Sequence, residues 1–180
     1  SVNTITGTVE DINTIYESNG ITGLGNEAIT PSDSTVIATE LNTINNKTSG
    51  DVDATIVTAI EGYIADINTV YLSSGITGLG NEQIRLSDTN ISATLLNTLN
   101  AYTSGSIDTS AVQTITGSCS ELKIAYTSYG IAGLGNKSII LTDSTGRASD
   151  LKTLETVTTG TINASSITTI TGTAAYINTA

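Results

Sequence analysis

Gly20-Ile21-Thr22-Gly23-Leu24-Gly25-Asn26-Glu27 returns as Gly75-Ile76-Thr77-Gly78-Leu79-Gly80-Asn81-Glu82 and, with two substitutions, as Gly130-Ile131-Ala132-Gly133-Leu134-Gly135-Asn136-Lys137. Each step is 55 residues, without insertion or deletion. A period of that length held so strictly marks one supersecondary unit used repeatedly. Thr48-Ser49-Gly50, Thr103-Ser104-Gly105 and Thr158-Thr159-Gly160 keep the same period, as do Asp33, Asp88 and Asp143. Thr4-Ile5-Thr6-Gly7 recurs at Thr114 and Thr169, with Ala59-Ile60-Glu61-Gly62 as its divergent version. The chain therefore reads as one elongated repeat domain with units of approximately 1–50 (partial), 51–105, 106–160 and 161–180 (partial). Neither end is recognisably a capping unit, so the expectation is a piece of a longer array.

Within the unit, Ile56, Ile60, Ile64, Ile67 and Tyr71 recur at steps of three or four, the spacing of one helical face. This predicts a helix starting at Asp53, matched by Asp108 and Asn163 as N-caps, and closing at Gly75, matched by Gly20 and Gly130. Gly7, Gly62, Gly117 and Gly172 fall inside it, each costing about 1 kcal/mol against Ala unless a neighbouring backbone packs there. A break into a strand plus a shorter helix is the rival. Ile84-Arg85-Leu86 and Ile139-Ile140-Leu141 predict a short strand ending at the Asp88 and Asp143 cap positions. A second helix follows, carrying Val36, Leu41 and Ile44, or Ile91, Leu95, Leu96 and Leu99, and closing at Gly50 or Gly105. Asp51-Val52-Asp53, Ser106-Ile107-Asp108 and Thr161-Ile162-Asn163 are placed like a second short strand. The fold class expected is an α/β solenoid of 55-residue repeats, each of two strand–helix coils of about 27 residues. An all-α solenoid of paired helices is the alternative.

Composition narrows function. The 180 residues include no Phe, Trp or Met, so the core must be aliphatic. Six Lys and Arg against 17 Asp and Glu leave a net charge of −11, which opposes nucleic acid and anionic lipid as partners. No run approaches the ~18 apolar residues a membrane span needs, and residues 1–30 lack the basic and apolar parts of a signal peptide. An export signal or anchor is thus expected outside these residues. The single Cys119 aligns with Val9, Ile64 and Ala174 and reads as a core thiol.

The chain contains no His, which removes Ser-His and Cys-His nucleophile pairs and the usual zinc sites. Gly20–Gly25 has neither dinucleotide nor P-loop glycine spacing and reads as a turn. Asp33, Asp88, Asp143, Asp53 and Asp108 recur in register and are the candidates for calcium, which takes several oxygen ligands. One Asp per coil without an Asp-x-Asp-x-Asp-Gly spacing fits a helix cap better. The four Asn-x-Ser/Thr triplets are as many as so Ser/Thr-rich a chain yields by chance. No catalytic residue or cofactor is assigned, and no enzyme is expected.

The consensus Thr-Ile-Thr-Gly-x-x-x-x-Ile-Asn-Thr-x-Tyr, Gly-Ile-x-Gly-Leu-Gly-Asn-Glu, Leu-Asn-Thr-Leu and Thr-Ser-Gly resembles repeats of very large cell-surface and secreted proteins of cyanobacteria, the type that includes the swimming-associated giant surface protein. That resemblance covers the whole chain and implies a structural segment of an exported giant protein, located at the cell surface or outside the cell. It carries over no functional residue. Asn26-Glu27 and Asn81-Glu82 become Asn136-Lys137, so that acidic position is not an obligatory ligand. The expected function is a non-enzymatic spacer whose partners are the neighbouring repeats. The alternative is a repeat array that binds calcium, polysaccharide or protein in adhesion.

Overall fold

The computed structural model describes residues 2–177. It is an α/β protein whose short strands pair in parallel, so the all-helical alternative does not hold. The chain divides into two compact units, one of Ser1–Arg85 with Tyr102–Ser106 and the other of Leu86–Ala101 with Ile107–Ala180. The elements of the first run β1 (Thr4–Gly7), α1 (Val9–Glu17), β2 (Ala28–Pro31), β3 (Thr35–Ile37), α2 (Ala38–Lys47), β4 (Val52–Asp53), β5 (Ala59–Gly62), α3 (Ile64–Leu72), β6 (Ile76–Thr77) and β7 (Gln83–Leu86). Those that follow are β8 (Asn90–Ser92), α4 (Ala93–Tyr102), β9 (Ile107–Asp108), β10 (Thr114–Gly117), α5 (Cys119–Thr127), β11 (Ile131–Ala132), β12 (Ser138–Leu141), β13 (Thr145–Arg147), α6 (Ala148–Val157), β14 (Ile162–Asn163), β15 (Thr169–Thr171) and α7 (Ala174–Ile177).

In the first unit β1-β2-β4-β6 form one parallel ladder, with Thr4 opposite Ala28, Ile29 opposite Val52 and Val52 opposite Ile76, separations of 24, 23 and 24 residues. In the second, β8-β10-β12-β14 repeat the pattern: Thr114 faces Asn90 on one side and Ser138 on the other. The strand step is therefore 24 residues, not the 27 expected from halving the repeat. Two such steps leave seven residues of the 55 over, and seven is the offset from Ala28 of β2 to Thr35 of β3. The surplus is used to start a new ladder. β2 belongs with β1, whereas β3 pairs with β5; likewise β12 belongs with β10, whereas β13 pairs with β15.

The long helix predicted from Asp53 to Gly75 is instead β5 and α3, the rival reading. Thr-Ile-Thr and Ala-Ile-Glu are short β-favouring runs, and the glycine after them ends a strand where another coil comes close. At Gly62 (φ +148°) a Cβ would stand 3.3 Å from the Ala38 Cβ, and at Gly117 one would stand 2.8 Å from the Ala93 Cβ. The compensation expected for a helical glycine is thus real, but it belongs to a strand end. Helix α3 stops at Leu72 with Ser73 extended, so Gly75 is not its left-handed cap. Gly75 and Gly130 lie against asparagine side chains: a Cβ would fall 2.4 Å from the Asn45 Oδ1 and 2.3 Å from the Asn100 Oδ1, so each asparagine would have to turn aside. Val36 and Ile91 lie in β3 and β8, and the second helix of each repeat begins two residues later, at Ala38 or Ala93.

Each unit has its own aliphatic core. Ile12, Ile29, Leu41, Ile44, Ile60 and Ile67 are fully buried in the first, and Leu96, Leu99, Ile107, Ile115, Leu122 and Ile139 in the second. Each such side chain stabilises by about 2 kcal/mol relative to exposure. Successive helices are also tied by asparagines: Asn13 Nδ2 donates to the Glu40 carbonyl (3.4 Å), Asn42 to Asp66 (3.0 Å) and Asn97 to Glu121 (2.9 Å). Helix α1 is capped by Thr8, whose hydroxyl accepts from Asp11 N, and α5 by a capping box of Ser118 and Glu121.

Candidate functional site

The two most repetitive motifs of the sequence meet. The backbone N–H of Ser49 donates to the Gly25 carbonyl at 2.9 Å, Ser104 to Gly80 at 2.8 Å and Thr159 to Gly135 at 2.8 Å. The hydroxyls of Thr48, Thr103 and Thr158 donate to the carbonyls of Glu27, Glu82 and Lys137 at 2.6, 2.7 and 2.8 Å. Each hydroxyl in turn accepts from the N–H two residues on, that of Gly50, Gly105 or Gly160. Those glycines sit so close to the opposing turn that a Cβ would lie 2.3, 2.1 and 2.1 Å from the same three carbonyl oxygens. Thr-Ser-Gly is thus a latch onto the Gly-Leu-Gly-Asn turn of the preceding coil, and the glycine read as a helix stop is there for clearance.

Behind the latch lies a buried charge. Glu27 and Glu82 are fully buried, and Lys137 in the same repeat position is 7% exposed. Glu27 Oε2 accepts from the backbone N–H of Gly25 (2.8 Å) and Asn26 (3.2 Å) and from the Tyr16 hydroxyl (3.0 Å). Glu82 accepts from Gly80 N (2.9 Å to Oε2) and from the Tyr71 hydroxyl (2.6 Å). Tyr71 stacks on Tyr102, with ring centroids 5.6 Å apart and planes at 13°. The Gly25 N–H, above all, holds the Glu27 carboxyl below the usual carboxylate range, while burial pushes the Tyr16 and Tyr71 hydroxyls up. In the third repeat Lys137 Nζ donates to the Ser110 carbonyl at 3.2 Å instead, and Tyr126 donates to the Lys137 carbonyl at 3.5 Å. A carboxylate that accepts from turn amides and a tyrosine hydroxyl organises the turn that holds it. The sequence carried the signal, because Tyr16, Tyr71 and Tyr126 stand eleven residues before Glu27, Glu82 and Lys137, but a pairing across a turn has no helix or strand spacing to announce it.

The recurring aspartates serve backbone. Asp33 Oδ2 accepts from Val9 N at 2.7 Å and Asp143 Oδ2 from Cys119 N at 2.5 Å, so each caps the first residue of a helix 24 residues upstream, not the helix that follows it. That corrects the assignment of Asp33 and Asp143 as caps of the helix after them. Asp88 holds the equivalent repeat position and is also engaged. Asp53 and Asp108 lie in β4 and β9, not at helix starts. Asp53 Oδ1 accepts from Thr55 N at 3.1 Å and from the Thr55 hydroxyl, and Asp108 Oδ1 from Ser110 N at 2.8 Å, the local turn geometry of Asp. Among the described residues no three Asp, Glu or Cys side chains converge on a point where a metal could sit. Cys119 is buried and free, and burial, followed by Asp143, pushes its thiol up to about 11. No helix among the described residues is long and apolar enough to cross a membrane. Comparisons with protein-family models, curated proteins and solved structures find no match to this chain.

Proposed function

We propose that this chain is a structural repeat segment, a solenoid of 55-residue units acting as a non-enzymatic spacer within a large extracellular or cell-surface protein. One observation carries the reading: the side chains repeated between units are spent on joining one coil to another. Thr48, Thr103 and Thr158 latch the preceding turn, Asp33 and Asp143 cap an earlier helix, and Gly50, Gly105 and Gly160 let the backbones approach. A recognition array would repeat its outward side chains. Here several outward positions drift: exposed Leu72 and Leu95 correspond to Thr127 and Asp150, although Asn26, Asn81 and Asn136 are kept. Nearest-neighbour joints of this kind let length change by whole units without a new core. The acidic surface keeps such an array soluble.

The test adds copies of residues 106–160 and follows maximum dimension by small-angle X-ray scattering, with thermal unfolding measured in millimolar calcium and in excess chelator. A constant length increment per copy and a melting temperature unmoved by calcium support the spacer. A dimension that fails to grow with copy number refutes it. A calcium-raised melting temperature would turn the array into a metal-binding one, since a ligand bound only by the folded state must stabilise it.

A further inference from the structure

Asn19-Gly20 is the only Asn-Gly pair in the 180 residues. It lies in the turn after α1, where the Gly20 N–H donates to the Ser18 hydroxyl at 3.3 Å and both Asn19 and Gly20 are exposed. The Asn19 side chain has no hydrogen-bond partner among the described residues. This exposure is a property of the turn wherever it occurs in the chain. The two later copies keep the same bond, from Gly75 N–H to Ser73 Oγ (3.1 Å) and from Gly130 N–H to Ser128 Oγ (3.2 Å). The residue between points outward in both: Ser74 is exposed and Tyr129 fully so. Packing between coils therefore makes no demand on this position, which holds Asn, Ser and Tyr in turn.

Other asparagines are held differently. Asn13, Asn42, Asn68 and Asn97 lie within helices, which fix the backbone that follows them. Asn136 is exposed in a turn, but the next N–H, that of Lys137, donates to the Leu134 carbonyl at 3.0 Å, and the Lys137 side chain is buried. Only at Asn19 does a free amide precede a residue without a Cβ to resist the backbone rotation that ring closure requires.

We propose that Asn19 is a site of spontaneous modification, converted in the folded protein to a mixture of aspartate and isoaspartate. Asparagine is among the thermolabile residues, and the chemistry needs only water. The Gly20 backbone nitrogen attacks the Asn19 Cγ; the N–Cγ bond forms, the Cγ–Nδ2 bond breaks, and the proton of that nitrogen leaves with the amide as ammonia. Water then opens the five-membered imide. Cleavage of the N–Cγ bond leaves an ordinary aspartate. Cleavage of the bond from Gly20 N to the Asn19 backbone carbonyl leaves isoaspartate, whose main chain runs through Cβ and Cγ. Either product adds one negative charge, and the turn accommodates both because nothing packs on this side chain. The turns at Ser74-Gly75 and Tyr129-Gly130 have no amide to react, so the modification marks one repeat and not its copies.

The test holds the full chain in mildly alkaline buffer, with and without urea, and follows its peptides by chromatography and mass spectrometry. The peptide carrying Asn19 should gain about one mass unit and divide into two products, while that carrying Asn136 stays unchanged. The native protein should react within severalfold of the rate in urea. Asn19→Ser, the residue of the second repeat, should abolish the gain. Gly20→Ala, whose Cβ would meet only the Ser18 Oγ at 3.8 Å, should keep its circular dichroism and react severalfold more slowly. A native chain that stays unmodified while the urea sample reacts, equal reaction at Asn136, or Gly20→Ala reacting as fast as the parent overturns the proposal. Each of those results leaves the spacer reading standing, because that reading does not use this side chain.

Discussion

Gly105→Ala tests the latch most directly. The new Cβ would sit 2.1 Å from the Glu82 carbonyl oxygen and 2.5 Å from its carbon, both backbone atoms that no rotamer change can move. The coils must separate, and with them go the Thr103 hydroxyl bond to Glu82 (2.7 Å) and the Ser104 N–H bond to Gly80 (2.8 Å). Overpacking of this kind costs about 1–3 kcal/mol, and two weakened hydrogen bonds add about 1 kcal/mol each, so a loss of about 3–5 kcal/mol is expected. Gly135, in the turn that the Thr158-Thr159-Gly160 latch of the other unit grips, provides the control: a Cβ there meets nothing within 4 Å and its φ is not in the left-handed range. Gly135→Ala should be neutral or stabilise by up to about 1 kcal/mol through the unfolded state. Urea unfolding followed by far-ultraviolet circular dichroism, with the slope of each transition compared, reads both. If Gly105→Ala loses no more stability than Gly135→Ala, close coil approach is not what these glycines provide.

Tyr71→Phe removes the hydroxyl donated to Glu82 and should cost about 1.5–3 kcal/mol by the same assay, as expected for a hydrogen bond to a buried charged group. Lys137→Glu should be tolerated within about 1 kcal/mol, because it restores the Tyr–carboxylate pairing of the other two repeats, and ultraviolet difference spectra should show Tyr126 perturbed. Acid should unfold the protein in a defined window. The carboxyls of Glu121 (chiefly through the Thr94 hydroxyl), Glu27 (the Gly25 N–H) and Asp53 (the Thr55 hydroxyl) are all held lower in the folded state. Their stabilisation is therefore complete above the unfolded values near pH ~4 and is lost as pH falls through the folded ones. Glu121→Gln should flatten the stability profile between about pH 5 and 3, and an unchanged profile would remove Glu121 from the account. Cys119, with its thiol pushed up to about 11, should resist a thiol-specific reagent at pH 8 in the folded protein and react at once in denaturant.

The period, the α/β class with its short strands and helices and the aliphatic core were legible because each is local or periodic. Strands Gln83–Leu86 and Ser138–Leu141 fall where the apolar runs put them. The continuous helix through Gly62 was misread because Ile56, Ile60, Ile64 and Ile67 happen to keep helical spacing across a strand and a corner. Asp33 was recognisable as a cap, yet the helix it caps starts at Val9 and is closer in space than in sequence. For the same reason the Thr48 latch was invisible, since only the 24-residue step, which leaves no trace in a 55-residue identity pattern, brings that turn and the following segment together, while the Tyr16–Glu27 pair spans a turn that has no periodic spacing.

That mismatch between a 24-residue step and a 55-residue identity has a further consequence for how so repetitive a chain avoids self-templating. Fibrils of the cross-β kind grow when identical segments stack in register, each strand templating its own copy. Thr-Ile-Thr-Gly of β1 is flanked by Ala-Ile-Thr-Pro of β2, and the same Thr-Ile-Thr-Gly in β10 by Asn-Ile-Ser and Ser-Ile-Ile-Leu. No strand in these pairings has its own sequence as a neighbour. The ladders are heteropolymers drawn from a repeated text, so the folded pairing sets unlike strands side by side.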